Sequence, residues 1–496
     1  MPAATDRSIL RRVSILLGVS WGYHRTPQPS GPSSSPFLPR RLAVALGSLA
    51  VVASAMAPPA SMATGYDPTT DMNSMYNTTL YTGTQAWWAT GFTGAGVDVA
   101  VIDTGVSPVE GLAGAGKVIH GPDLSLESQD DNLRHLDTNG HGTFMAGIIA
   151  GRGSGAVSGS YAGDTTNFLG VAPDARIVSL KVGVADGGVD VSQVIAAIDW
   201  VVQHRNDNGM NIRVLNLAYG TDSDQSYLVD PLSFAVEQAW KAGIFVVVAS
   251  GNEGYVFKTG TLTNPAYDPK IFAVGASDSM GTAAMGDDVV ASFSSTGSGP
   301  RPVDVVAPGA HLVSLRVPGS YIDQVYGATG YVSDELFRGS GTSEAAAFVS
   351  GAAALAIQQR PFLSPDSLKK LFLSSGKGLS GFSARKQGQG EVDMLKMLGS
   401  NTIIAPKQWS TIDWSTGVGS LEGARGTDHL TRDGVVLQGE MDIFGHHFDS
   451  RAMALLEAAQ ASWTGGEWNG NSWSGNSWSG NSWSGNSWSG NSWSGN

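Results

Sequence analysis

The sequence predicts an α/β fold, in which a mostly parallel sheet carries helices on both faces. Short β-branched apolar runs alternate with longer segments in which apolar residues recur every three or four positions. The first pattern is typical of strands buried on both faces, and the second of helices with one buried face. Strand and helix in turn favour a parallel sheet that is covered on both sides.

The first strand of this pattern ends in an acidic residue. Residues 97–102 (Val-Asp-Val-Ala-Val-Ile) form a short apolar run that closes at Asp103. Side chains at the carboxyl end of a parallel strand face the crevice in which α/β proteins bind ligands. Taken alone, Asp103 fits a turn or cap aspartate at least as well as a functional residue.

A histidine opens the next buried segment. Residues 140–143 (Gly-His-Gly-Thr) lead into the apolar stretch 144–151, which predicts a buried helix with His141 in its first turn. Taken alone, such a histidine is more often a hydrogen-bonded structural residue than a catalyst.

The alternation continues along the chain. The predicted strands are 175–182, 212–217, 244–249, 271–276 and 303–307, and the predicted helices cover 191–202, 231–242 and 365–374. The pattern weakens after about residue 376.

A serine precedes the longest alanine-rich segment. Residues 339–343 (Gly-Ser-Gly-Thr-Ser) allow a tight turn, and the small residues that follow predict a helix buried among its neighbours. Ser343 is therefore expected at the N-terminal end of this helix, where unpaired N–H groups and the helix dipole favour negative charge. A glycine-rich helix cap without chemistry is the alternative.

Composition excludes several classes of function. The chain has 496 residues, a formal net charge of −13 and no cysteine. The acidic balance argues against a general nucleic-acid binder, which needs a basic face. Without cysteine there is no disulfide, no thiolate nucleophile and no thiolate metal ligand.

The N-terminal region has the features of an export signal. The apolar run 42–57 follows two arginines and ends in a small-x-small cleavage pattern, so 42–63 are predicted as a signal peptide. Residues 1–41 are expected to be a long n-region or the product of a start assigned too far upstream, and 64–80 a short propeptide or linker. A membrane anchor or a buried helix is the alternative, but the run is shorter than the ~20 residues of a membrane span. A secreted, extracellular protein is expected, with no stable membrane span after processing.

Three segments together resemble a known enzyme family. Residues 101–105 (Val-Ile-Asp-Thr-Gly), 139–143 (Asn-Gly-His-Gly-Thr) and 341–343 (Gly-Thr-Ser) resemble the signature blocks of the subtilisin-like (subtilase, S8 family) serine peptidases, in that family's order. Residues 246–254 and 169–173 resemble two further blocks. The resemblance covers roughly residues 85–376 and implies a three-layer α/β/α fold for a peptidase domain at 81–376.

The resemblance also implies a reaction and its residues. It implies a secreted serine endopeptidase that cleaves polypeptides through an acyl-enzyme, with no required cofactor and no metal ligand among the catalytic residues. Ser343 is the expected nucleophile, His141 its base, and Asp103 the residue that orients the imidazole. The Asn252 amide and the Ser343 N–H are expected to bind the oxyanion.

Substrate binding is implied by the same resemblance. Two segments are expected to flank an extended peptide and to pair with its backbone. The residues are Gly187, Gly188, Leu217, Ala218, Tyr219, Gly220, Gly251 and Glu253. The primary pocket is expected between 217–220 and 249–253, with Glu253 at its base.

The chain departs from the family pattern near the nucleophile. Glu344 stands where the family commonly has methionine, and a carboxylate there is expected to perturb the pKa of His141. Phe144, Ala218 and Ala347 replace a common histidine, serine and proline. These changes leave the triad intact and bear on rate and specificity.

A calcium ion is a further option, in the loop that holds Asp164 and Asn167, where some members of the family bind one. Loop acids that are simply solvated are the alternative. The His-His segment at 445–449 matches no metal-ligand spacing and is expected to be a surface loop.

The C-terminal third lies beyond the resemblance. Residues 377–462 are expected to be an extension of polar loops with one short helix at 452–461. Residues 463–496 are expected to be a disordered, low-complexity tail in which Asn-Ser-Trp-Ser-Gly occurs five times between Asn471 and Gly495. Such tails resemble extensions on exported actinobacterial proteins, and binding to a cell wall, a glycan or another protein is the alternative to plain disorder.

Two rivals to an endopeptidase remain from the sequence. One is a catalytically inactive, exported subtilase-like protein that serves as a binding or scaffold module. The other is a narrow processing peptidase or an exopeptidase on the same fold, because loops that block the cleft decide between exo- and endo-action.

Overall fold

A computed structural model describes most of the chain. The described residues are 65–254, 262–297, 301–401, 412–427, 429–432 and 435–472. The predicted n-region and signal peptide, residues 1–63, lie outside them, as do residues 473–496 of the predicted tail.

The helices and strands within these ranges follow in chain order. The helices are α1 (Met75–Tyr81), α2 (Thr84–Ala89), α3 (His141–Ala150), α4 (Val191–His204), α5 (Pro231–Lys241), α6 (Tyr321–Gly330), α7 (Thr342–Gln359), α8 (Pro365–Ser375), α9 (Ala384–Gln387), α10 (Met394–Leu398), α11 (Leu421–Arg425) and α12 (Ser450–Ala458). The strands are β1 (Asp98–Asp103), β2 (Val118–Asp123), β3 (Arg176–Lys181), β4 (Ile212–Leu217), β5 (Phe245–Ala249), β6 (Phe272–Asp278), β7 (Val289–Val290), β8 (Val305–Pro308), β9 (Leu312–Leu315), β10 (Leu336–Gly339), β11 (Gly376–Lys377), β12 (Glu391–Val392), β13 (Thr431–Arg432), β14 (Val435–Val436), β15 (Trp463–Thr464), β16 (Glu467–Trp468) and β17 (Asn471–Ser472).

The central sheet is mostly parallel, which confirms the predicted α/β class. Its order is β11-β12-β8-β6-β5-β4-β1-β3-β2, and β7 pairs with β6. Every pair in this order is parallel except the edge pair β11-β12. All six residues of β1 are buried, as expected for a central strand covered on both faces.

The position of β1 determines where a ligand can bind. β1 lies between β3 and β4, so the chain first moves to one side of β1 and then returns across it to the other. Helix α3 packs against α7, whereas α4 packs against α5, and both α3 and α4 contact β1. The carboxyl end of β1, at Asp103, is therefore the switch point of the sheet, where open α/β folds form their crevice.

Helix α7 is the longest helix of the α/β core, and almost all of it is buried. Residues 342–357 are all buried, and α7 packs against α3 and against strands β4, β5, β6 and β8. Only small side chains allow a helix to be surrounded so closely, which explains the alanine-rich sequence. The prediction of a buried helix beginning next to Ser343 is confirmed.

The compact part of the chain is larger than the predicted domain at 81–376. Residues of the predicted propeptide or linker pack on it: Asp71 accepts a hydrogen bond from Arg338 at 2.7 Å, and α1 begins at Met75, whose side chain is buried. At the other end, β12 joins the central sheet beside β8, well beyond residue 376. These segments are short, and hydrophobic periodicity cannot identify strands of two residues.

The first residues of the predicted disordered tail are folded. Strands β15, β16 and β17 form a small antiparallel sheet, in which Trp468 is fully buried and donates a hydrogen bond to Asp199 of α4 at 2.7 Å. Trp463 donates to the Ala196 carbonyl of the same helix at 2.8 Å. The glycine and serine content predicted a flexible tail. Composition gives no information on the hydrogen bonds that these tryptophans make with α4.

The predicted helix of the extension is α12, which begins and ends slightly earlier than expected. The His-His loop at 445–449 leaves His446 and His447 exposed. Across the described ranges, no group of three or more acidic or histidine side chains is placed to hold a metal ion. None of the described helices combines the length and apolar character needed to cross a membrane.

Two buried carboxyl groups face each other where the extension packs on the core. Glu457 of α12 faces Asp199 of α4, and both side chains are buried. Burial is the main cause that raises the pKa of Asp199 above its ordinary value, and burial together with the charge of Asp199 raises the pKa of Glu457. The folded protein therefore holds protons on this pair that the unfolded chain releases at lower pH.

We expect this pair to make the protein less stable as the pH rises. Below about pH 4 the carboxyls are protonated in both states, and between there and neutral pH only the unfolded chain ionises, so the free energy of unfolding decreases. Glu457→Gln removes one of the two acids and should raise the melting temperature at pH 8 more than at pH 5. The control is Glu467→Gln, an exposed glutamate of the same segment. An equal effect of Glu457→Gln at both pH values would contradict the interpretation.

Candidate active site

The structure brings together Asp103 and His141, which lie 38 residues apart in the chain. Asp103 is the last residue of β1 and His141 the first of α3. The Nδ1 atom of His141 lies 2.8 Å from Oδ1 and 2.9 Å from Oδ2 of Asp103, and both side chains are buried. An imidazole held at Nδ1 by a carboxylate has Nε2 as its remaining basic nitrogen.

A close approach of α3 to the end of β1 makes this contact possible. A Cβ atom on Gly142 would lie 2.2 Å from the carbonyl oxygen of Gly105, so any larger residue would push the helix away. The N–H of Gly142 donates to Oγ1 of Thr104 at 2.9 Å. The glycine that follows the histidine is thus a structural requirement of the site.

A second buried aspartate, Asp137, fixes the loop before the histidine. Its carboxylate accepts hydrogen bonds from the N–H groups of Gly140 and Thr143, both at 2.7 Å. It also accepts one from Oγ1 of Thr104 at 2.8 Å. Asp137 therefore ties the end of β1 to the first turn of α3. The sequence analysis missed it, since an aspartate in a polar loop reads as an ordinary turn residue.

The surroundings of His141 favour its charged form. Burial alone would lower the pKa of His141, but the charge and hydrogen bond of Asp103 outweigh it, and Glu344 and Asp137 act in the same direction. The net result is a pKa above the ordinary value of 6.5. The site is therefore suited to stabilising an imidazolium that forms during a reaction.

Asn252 and Ser343 lie on two elements that contact each other. Asn252 follows β5, and its Oδ1 accepts hydrogen bonds from the Thr342 N–H at 2.8 Å and from Thr342 Oγ1 at 3.0 Å. The Gly251 N–H donates to Thr342 Oγ1 at 3.2 Å. Because the carbonyl of Asn252 is turned to Thr342, its NH₂ group is directed the other way. Ser343 is the second residue of α7, in the first turn, where N–H groups lack partners within the helix.

Glu344, next to Ser343, is fully buried, and within the part of the chain that the structure describes neither of its carboxylate oxygens has a hydrogen-bond partner from another residue. Burial raises the pKa of Glu344 to about 7, while the charge of His141 lowers it and that of Asp103 raises it. Since His141 and Glu344 each shift the pKa of the other, Glu344 belongs to the electrostatic surroundings of the imidazole, as the sequence analysis expected.

The predicted walls of the primary pocket meet at Thr263. A Cβ on Gly220 would lie 2.3 Å from Oγ1 of Thr263, and one on Gly251 would lie 2.8 Å from its Cγ2. No sequence motif indicated Thr263. The side chain of Glu253 is exposed, which fits the mouth of a pocket better than the base that was predicted.

Five other predicted cleft residues are buried. Leu217, Ala218 and Tyr219 continue from β4, and Gly187 and Gly188 precede α4. Asn139, two residues before His141, donates to the Ala185 carbonyl at 2.8 Å. This bond joins the loop of the histidine to the segment of Gly187 and Gly188.

The carboxylate of Asp164 is already hydrogen-bonded within its own loop. Oδ1 of Asp164 accepts hydrogen bonds from Thr166 N, Thr166 Oγ1 and Asn167 N at 2.9, 2.8 and 3.1 Å, and Oδ2 accepts one from Asn167 Nδ2 at 2.8 Å. These are the contacts of a local turn. The calcium option therefore stays a prediction without a set of converging acidic ligands in the described part of this loop.

Comparison with known proteins shows that the chain is similar in sequence to several serine proteases. The serine protease AprX of Bacillus subtilis (strain 168) is 38% identical over 288 residues, which cover 56% of this chain and 61% of AprX. Subtilisin DY of Bacillus licheniformis is 32% identical over 292 residues, or 59% of this chain and 87% of the relative. A crystal structure of a cold adapted subtilisin-like serine proteinase is 30% identical, with a TM-score of 0.44, over 61% of this chain and 88% of the other.

The match with AprX spans only about three fifths of that protein's length. For the minor extracellular protease Epr of Bacillus subtilis the share is 34%. The sequence pattern of the subtilase family, Peptidase S8, matches residues 94–390, which is more than half of the chain. With its α/β fold and its mostly parallel sheet, the chain belongs to the subtilase family.

Proposed function

We propose that the chain is a serine endopeptidase that hydrolyses peptide bonds of polypeptide substrates through an acyl-enzyme intermediate. The buried pair of Asp103 and His141 carries the proposal, because it holds an imidazole with Nε2 as its basic nitrogen beside a helix that begins next to a serine. Membership of the subtilase family supports the same reaction class.

In the proposed mechanism, Nε2 of His141 takes the proton of Ser343 as its Oγ attacks the substrate carbonyl carbon. Asp103 keeps the proton of the imidazole on Nδ1 and stabilises the imidazolium. The carbonyl oxygen becomes an anion, to which the Asn252 NH₂ and the Ser343 N–H donate hydrogen bonds. His141 then protonates the leaving amine, and water repeats the sequence to release the acid from Ser343.

We propose that the substrate lies extended between the segments 187–188 and 217–220, with its primary side chain directed toward Gly251 and Thr263. Pairing of backbone with backbone gives affinity with little dependence on sequence, and the pockets give selectivity. The exposed carboxylate of Glu253 at the pocket mouth favours a basic residue in part of the substrates. No step of this mechanism needs a metal or a cofactor.

We also propose export from the cell, as the apolar segment 42–57 indicates. A relative whose name describes it as extracellular, the protease Epr, is consistent with this. The binding of a cell wall, a glycan or another protein by the tail is a proposal for residues 473–496, because the tryptophans at 463 and 468 are used in packing on α4.

A serine-reactive fluorophosphonate probe tests the proposed nucleophile. The purified full chain should be labelled, whereas Ser343→Ala and His141→Ala should not, because the triad of subtilisin, a member of this family, loses about 10⁶ in kcat when either residue is removed. Ser160→Ala, which changes an exposed serine, is the matched control. A folded wild type that is not labelled would refute the proposal and favour the inactive binding or scaffold protein.

Glu344 should shift the acid limb of the pH dependence. The limb of kcat/KM reports the ionisation of His141, whose pKa is raised, so activity should be lost as the pH falls through a value above 6.5. Glu344→Gln removes a carboxylate beside the imidazole, which lowers the pKa of His141 and moves the limb to lower pH by about half a unit or more. Glu344→Met should do the same.

Asp131→Asn is the control for this experiment, because it removes a carboxylate that is 86% exposed. Its acid limb should coincide with that of the wild type. If both Glu344 variants fold and also keep the wild-type limb, Glu344 does not act on His141.

A further inference from the structure

Part of the chain beyond the family match contacts the proposed substrate cleft from behind. The family pattern ends at residue 390, whereas α11 and the residues around it belong to the C-terminal extension. Leu421 and Ala424 of α11 are completely buried, so this short helix is part of the protein interior. Its polar contacts reach Thr221 and Asp190, which lie next to the two segments between which the substrate is proposed to bind.

The first wall of the substrate cleft, residues 217–220, is held in place next to backbone carbonyls of the extension. Oγ1 of Thr221 donates to the Ala424 carbonyl and Oγ of Ser223 to the Gly423 carbonyl, both at 2.6 Å. Thr221 directly follows the predicted substrate-binding segment 217–220. Its backbone also pairs with Asn264, next to Thr263 of the pocket, through N–H···O bonds of 3.0 and 2.9 Å.

The second wall of the cleft, residues 187–188, is held in place through the guanidinium group of Arg425. Its Nε donates to Oδ2 of Asp190 at 2.6 Å, and both side chains are buried. Asp190 also caps α4 by accepting a hydrogen bond from the Ser192 N–H at 3.0 Å. Asp190 follows Gly188 by two positions, so its place determines where the segment of Gly187 and Gly188 ends.

The guanidinium of Arg425 is itself held by the extension. Nη1 donates to Glu422 Oε2 at 3.1 Å and to the Gly439 carbonyl at 2.6 Å, and Nη2 donates to the Met441 carbonyl. A planar group bonded on all sides is rigid, and a lysine cannot reproduce its geometry. Helix α11 therefore acts on both walls at once: through its backbone on one side and through Arg425 on the other.

We infer that α11 sets the distance between the two walls of the substrate cleft. Arg425 is then a positioning residue for extended polypeptide substrates. The inference rests on the proposed function. A peptide that pairs with both walls needs them at a fixed separation, and a misplacement of 1 Å can cost about 10²-fold in rate. The triad lies on β1, α3 and α7. The hydrolysis rate of a small ester that does not reach the walls should therefore not depend on α11.

The test compares two substrates in variants of the full chain. For Arg425→Met we expect KM of a tetrapeptide p-nitroanilide to rise by about tenfold or more, with little change in p-nitrophenyl acetate hydrolysis and in the rate of fluorophosphonate labelling. Arg425→Lys should fall between wild type and Arg425→Met. Arg451→Met, which changes an exposed arginine of α12 in the same extension, should match the wild type.

A second variant keeps the inference falsifiable if Arg425→Met does not fold. Thr221→Val preserves the shape of the side chain and removes only its bond to the Ala424 carbonyl, so it should raise the peptide KM in the same direction. An unchanged peptide KM, or an equal loss with the small ester, would overturn the inference while the labelling of the wild type still supports the proposed function. A wild type that is neither labelled nor active on the ester would overturn the proposed function, and the inference with it.

Discussion

The contact between Asp103 and His141 joins the central strand of the sheet to the first turn of α3, and the candidate site depends on it. Where the end of a strand meets the first turn of a helix, the backbone N–H groups of that turn need hydrogen-bond acceptors from outside the helix. Asp137 and Thr104 accept those of Gly140, Gly142 and Thr143. The same bonds that stabilise the junction also fix the imidazole, so packing and chemistry are not separable here.

The carboxylates around this junction have different tasks, which their surroundings determine. Asp103 bonds the imidazole, Asp137 accepts hydrogen bonds from backbone donors, and Glu344 has no partner from another of the described residues. A buried acid without a partner costs free energy unless it is protonated, which agrees with the pKa of Glu344 near 7. Its charge therefore changes in the pH range in which His141 exchanges its proton.

The C-terminal extension is built into the protein through buried polar contacts. Arg425 pairs with Asp190, Glu457 faces Asp199, and the Ser415 N–H donates to Glu237 at 2.8 Å. Burial and the charge of Asp268 raise the pKa of Glu237 to about 8, so protons are held at this boundary as well. Such contacts make the described part of the extension belong to the same compact unit as the α/β core.

Much of the fold, the contact between Asp103 and His141 and the place of Ser343 at the start of a buried helix could be predicted from the sequence, for a physical reason. Strands such as β5 are continuous apolar runs, and the turns around His141 and Ser343 need glycine, so both leave a local signal. Thr263 and Arg425 leave none, because their roles come from partners far away in the chain. Asp137 looks like an ordinary turn residue, because its bond from Thr104, 33 residues away, leaves no local signal. The same holds for Trp468, whose fully buried position on α4 contrasts with its glycine-rich neighbours.

The central claim is that His141, Asn252 and Ser343 form one catalytic centre. The most direct measurement is a crystal structure of the protein after reaction with a fluorophosphonate. We expect phosphorus bonded to Oγ of Ser343, one phosphoryl oxygen within hydrogen-bond distance of the Asn252 NH₂ and the Ser343 N–H, and Nε2 of His141 facing another. A modification on a different residue, or a phosphoryl oxygen directed away from Asn252, would contradict the account.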